Sequence, residues 1–140
     1  MTTPDATPRP LLSDLAGTWQ ARNQLWFRPD EPGHESDTTL VVAPAVRDLI
    51  TSLHYTWSHA GTPHEGVLLV AAPDCPPAMV LADSFHTSGT FMSLGPGTRT
   101  DTCLTATGSY AAPPGPDWGW RIELHRESPD ALLVRHYNIL

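Results

Sequence analysis

The chain has 140 residues, 40% of them hydrophobic and only 16% charged, a balance that supports one packed core and excludes a disordered chain. A formal net charge of -7 and a pI near 5.3, with no basic stretch, give a field that repels phosphate and so argues against nucleic acid and anionic membrane as partners. The basic residues are all arginine, which excludes the lysine-dependent chemistries of Schiff bases and P-loops.

Residues 1–10 are rich in proline and threonine and read as a flexible tail ahead of a single domain over 11–140. They carry no basic region followed by an apolar run, and no later segment reaches the length of a membrane span, so the expected location is the cytoplasm. Leu11 to Ala16 suits one helical turn plugging the end of a sheet structure. Gly17 to Arg28 then alternates, with Trp19, Ala21, Leu25 and Phe27 on one face. Asp30 to Glu35 reads as a turn. Further strands are expected over Thr38–Ala43, Ile50–His59, Glu65–Ala72, Met79–Ser84, Thr90–Leu94, Thr102–Tyr110, Trp118–Arg126 and Ala131–Ile139. Turn clusters at 95–97, 113–116 and 128–130 separate the later ones. A succession of short strands without an amphipathic helix predicts an all-β fold. Closure into an up-and-down barrel removes the sheet edges most completely, with a two-sheet sandwich as the structural competitor.

Leu15-Ala-Gly-Thr-Trp19 at the first strand has the Gly-x-Trp pattern of calycins. With Gly61-Thr-Pro-His-Glu-Gly66, Asp83-Ser-Phe-His86 and a last strand holding Arg135, it resembles an uncharacterised bacterial lipocalin-like family over most of the chain. The resemblance implies an antiparallel calycin-like barrel of about nine to ten strands with a short N-terminal helical turn. It also implies a closure in which Gly17 lets the chain approach, Trp19 seals the floor and Arg135 packs across the indole. Arg135 shares its strand phase with Leu133, Tyr137 and Ile139, which supports an inward guanidinium, with Arg121 as the fallback. The chain more loosely resembles nitrobindin-like and fatty-acid-binding calycins, in which a late histidine binds haem and for which His136 would stand. With Arg135 and Tyr137 inward, His136 would point outward. An apolar ligand is therefore preferred to haem, and no cofactor is expected.

His54 and His59 fall on opposite faces of one strand and His64 lies past a turn, so no local metal site is expected. Cys75 and Cys103 form no CxxC pair and read as unremarkable thiols. Asp83, Ser84, His86 and Ser88 have the residue types of a hydrolase triad without the Gly-x-Ser-x-Gly elbow. A polar connection is the simpler reading, with His86 as a ligand-orienting group or, in an enzyme, an acid–base partner of Asp83. Tyr55 and Trp57 share one phase, as do Trp118 and Trp120. Tyr55, Trp57, Met92, Trp120 and Tyr137, with His86, are the expected cavity wall. The function expected from these features is non-catalytic binding of a small, mostly apolar molecule inside a barrel. A His86/Asp83 enzyme, a haem protein and a filled structural barrel are the alternatives, and homodimerisation through a sheet face would be ordinary.

Overall fold

The computed structural model describes residues 12–71 and 78–139. The proline-rich tail, Cys75 and the predicted strand end at Ala72 lie outside the described residues. A 3-10 turn, Ser13–Leu15, precedes β1 (Gly17–Leu25), β2 (His34–Ala45), β3 (Ile50–His59), β4 (Thr62–Ala71), β5 (Met79–Asp83), β6 (Met92–Leu94), β7 (Thr98–Arg99), β8 (Cys103–Tyr110), β9 (Trp118–Ser128) and β10 (Ala131–Ile139). The first strand ends short of Arg28, β2 begins ahead of Thr38, and β7 is a strand that the sequence did not suggest. No helix among the described residues is long and apolar enough to cross a membrane.

The strands pair in two antiparallel sheets, one of six strands in the order β1-β2-β3-β4-β5-β6 and one of four in the order β10-β9-β8-β7. Neither closes, which overturns the expected calycin-like barrel. Closure would require β1 and β10 to exchange ladder hydrogen bonds, whereas each is the outer strand of its own sheet. The two sheets do approach on the other side, where β6 lies beside β8 and the Gly95 amide donates to the Thr107 carbonyl at 3.0 Å.

One hydrophobic core joins the sheets. Val42, Leu53, Leu68, Val70, Met79 and Leu81 come from the larger sheet and Leu104, Ala106, Ile122 and Leu124 from the smaller. Each is buried because strand alternation presents it inward, and each large aliphatic side chain contributes about 1.5–3 kcal/mol by leaving water. Leu12 and Leu15 plug one end of this core. Trp19 Nε1 donates to the Leu15 carbonyl at 2.7 Å, and Arg126 grips both Asp14 carboxylate oxygens at 2.8 and 3.0 Å. The plug is thereby tied to both sheets.

The closure expected of Gly17, Trp19 and Arg135 is not formed. The Trp19 N–H is taken by Leu15, and Arg135 is exposed opposite Glu123 of β9. β10 holds two apolar sets, and the one that packs against the core is Leu132 with Val134. His136 follows them inward, while Tyr137 lies outside beneath the Arg121 guanidinium, 4.6 Å from its ring centre. Gly17 has φ +138° with open space around a would-be Cβ, so backbone conformation rather than close approach calls for glycine there.

Away from the plug the core-facing positions change character. Leu53 gives way to Tyr55, Trp57 and His59 along β3, and Leu81 to Asp83 along β5. Ala106 gives way to Gly108 and Tyr110 along β8, Ile122 to Trp120 along β9, and Val134 to His136 along β10. Antiparallel order brings all of these to the same end of the molecule.

Candidate functional site at the histidine-rich end

The chain turns sharply after β5 because Asp83 organises it. The Asp83 carboxylate Oδ1 accepts the backbone N–H groups of His86 and Thr87, the latter at 2.8 Å, and the Thr87 hydroxyl donates to the Asp83 carbonyl at 3.1 Å. An aspartate closing a turn on amides two or more residues ahead is a local alternative to the sheet ladder. Its result is to aim the His86 ring back over β8 and β9. The ring stacks on Trp120 with centroids 3.9 Å apart and meets the edge of Tyr110 at 4.5 Å. Asp83 therefore contacts His86 through the backbone, not through the imidazole.

Behind this pair lies His136. Trp120 Nε1 donates to His136 Nδ1 at 3.1 Å, which requires a lone pair there and places the proton of the neutral imidazole on Nε2. Burial drives the His136 pKa down to about 4; Asp83 opposes the fall and His86 adds to it. Burial also lowers His86, against the pull of Asp83. Tyr55 approaches His136 with ring centres 6.3 Å apart. Burial raises its hydroxyl above the usual range, and the Asp83 charge adds to that. The Tyr55 hydroxyl lies against Gly66, where any Cβ would collide with it.

The His86 end of this cluster opens to solvent. β6 runs antiparallel beside the second half of β8, with the Gly95 amide on the Thr107 carbonyl and Gly108 against Ser93 and Leu94. An open cleft of about 740 Å³ lies here, lined by the 86–91 loop and β6 on one side and by Thr107–Ala111 on the other. His86, Thr87, Thr90, Ser93, Ser109 and Tyr110 contribute to its lining. His86 Nδ1 is buried and has no hydrogen-bond partner among the described residues.

Of the expected wall residues, Tyr55, His86 and Trp120 meet in the cluster, and Met92 lines the cleft from the core side. Trp57 stands apart, packed with His64 at 4.7 Å and Phe85 at 5.1 Å. Tyr137 is on the outer face. Tyr110 and an inward His136 escaped the sequence reading. Tyr110 ends the Leu104–Ala106–Gly108 phase, which marks it as core-facing, and Leu132 with Val134 marks His136 likewise. On the outer face Cys103 is a free thiol, 4.0 Å from His125 Nε2, and His125 itself meets Glu123 at 2.9 Å. Among the described residues no three His, Cys, Asp or Glu side chains are grouped to hold a metal ion.

The expected apolar ligand cavity is not present, because without a closed barrel the recess is an open cleft bordered by hydroxyls. Fold and site together define an antiparallel two-sheet β protein with an imidazole- and aromatic-rich end. The chain belongs to the family described as "Protein of unknown function (DUF1579)", whose model matches residues 5–140. That membership, with the unclosed sheets, replaces the lipocalin-like, calycin assignment drawn from the Gly-x-Trp pattern. No curated protein and no solved structure matches the chain.

Proposed function

We propose that the protein binds a small polar molecule in the open cleft beside β8, with His86 as its principal hydrogen-bonding partner. The observation that carries this reading is His86, which lines the cleft while its Nδ1 is a buried polar atom without a hydrogen-bond partner among the described residues. Such an atom costs about 1–3 kcal/mol, which a ligand completing the hydrogen bond would recover. Because burial holds the imidazole below its ordinary pKa, it is neutral at pH 7 and pairs with an uncharged donor or acceptor. Threonine and serine hydroxyls around it supply further polar contacts, and Phe91, 80% exposed at the rim, offers a face for a planar group. The commitment of the Asp83 carboxylate to backbone amides favours binding over acid–base chemistry by an Asp–His pair.

The test is an NMR-observed screen of small amides, phenols and alcohols against protein with 15N-labelled histidine. Compounds that bind are expected to shift His86 Nδ1 and the neighbouring Trp120 indole, and to lose affinity in His86→Leu. Binding that leaves His86 unshifted, or that survives the substitution, would remove the basis of the proposal.

A further inference from the structure

The geometry points to a second, independent site: His34 and His59 together bind one divalent transition-metal ion of the copper, nickel or zinc class. His34 opens β2 and His59 closes β3, so adjacent antiparallel strands bring them to the same end. Their ring centres are 4.9 Å apart with planes at 83°. An imidazole nitrogen binds such an ion at about 2.0–2.1 Å, which puts the ring centre roughly 3.2 Å from the metal. Two ring centres 4.9 Å apart in an edge-to-face contact can both stand at that distance from one ion once the rings turn so that a nitrogen of each faces it, at an angle of roughly 100°, between the right angle of square or octahedral coordination and the tetrahedral angle.

The other histidines are engaged differently. His54 pairs with Glu65, His64 with Ser84, His125 with Glu123 and His136 with Trp120, while His86 stacks on Trp120. Among the described residues, no hydrogen bond to a carboxylate or carbonyl occupies His34 or His59, and these two rings contact each other. Phe27, itself exposed, packs edge-on against both, with centres 5.6 and 5.2 Å away. His34 is exposed, which leaves room for water to complete the coordination shell. The net charge of -7 draws cations toward the protein. Copper(II) binds nitrogen donors most tightly in its series and is the best first probe.

Copper(II) titration followed by calorimetry and electron paramagnetic resonance is expected to show one tight equivalent with coupling to two nitrogens. Loss of one member of a tethered ligand pair removes its high effective concentration. His34→Gln and His59→Gln should therefore each weaken binding by roughly tenfold or more, while His54→Gln leaves it unchanged. Zinc(II) added to the unsubstituted protein should shift the ring resonances of His34 and His59 ahead of the other histidines, a readout that needs no variant to fold. Absence of a one-equivalent site, unchanged affinity in both glutamine variants, or earlier shifts at another histidine would each overturn the assignment.

Discussion

The buried His136 imidazole makes the stability of this protein dependent on pH in a calculable way. In the unfolded chain it takes up a proton near its ordinary pKa of 6.5, whereas in the folded protein it does so at about 4. Between these values the unfolded state binds more protons, so stability is complete above 6.5, falls as the pH drops toward 4, and levels off below. The full difference amounts to about 3 kcal/mol, most of it lost by roughly pH 4.5. Its source is burial, which penalises the charged imidazolium; a proton on Nδ1 would in addition face the Trp120 N–H that now donates to that atom. Urea denaturation between pH 7.5 and 4.5, run beside His136→Gln, isolates the contribution from the carboxylates, which titrate in both proteins. The unsubstituted protein should lose about 2–3 kcal/mol more than the variant over this range. Parallel pH profiles, or an NMR titration placing His136 near 6.5, would refute the reasoning.

Two further substitutions probe the same cluster. Trp120→Phe removes the donor that favours neutral His136, so the His136 pKa should rise on NMR titration while stability falls by about 1–3 kcal/mol; an unmoved pKa would assign the depression to burial alone. Gly66→Ala drives a methyl group against the Tyr55 hydroxyl and to 3.0 Å from the Asp83 Cβ, and should cost about 1–3 kcal/mol by thermal or urea unfolding. A Tyr55→Phe background should relieve only part of that cost, since the ring Cζ still lies 2.5 Å from the added methyl, whereas Tyr55→Leu should remove most of the coupling between the two sites.

The strands were legible in the sequence where alternation and turn residues agreed. Ile50–His59 and Ala131–Ile139 are observed as read, because Asp48 and Gly61-Thr-Pro flank the first and Ser128-Pro-Asp precedes the second. The apolar pattern of the first strand runs past its end at Leu25, since Trp26 and Phe27 extend it although Arg28-Pro29-Asp30 already turns the chain. β7 is two residues long between Gly97 and Asp101, too short to carry a period. Barrel closure depends on whether the first and last strands meet, and no local pattern encodes that. The phase of β10 was ambiguous for a specific reason: Leu132 and Val134 define one apolar face, and Leu133, Tyr137 and Ile139 define the other. The second set would place Arg135 inside and His136 outside, the reverse of what is observed. His86, Tyr55 and Trp120 were identified from residue type and phase. That His86 would stack on Trp120 could not be read, because it requires the Asp83 turn to fold the chain back across a different sheet.

Among the described residues β1 and β10 each pair on one side only, which carries a consequence for handling the protein at high concentration. Each strand is nine residues long and offers one row of backbone amides and carbonyls to the outside. If the β10 flank of one molecule added to the β1 flank of the next, every contact would leave the same two surfaces free at the ends of the growing array, and nothing in such a head-to-tail arrangement closes it. Gln20, Arg22 and Gln24 on β1 and Arg135 on β10 are exposed polar and charged residues of these strands, a composition that disfavours such edge-to-edge growth. Substitutions intended to keep the protein dispersed therefore belong on these two strands, where a lysine or a proline facing outward would block docking without touching the core.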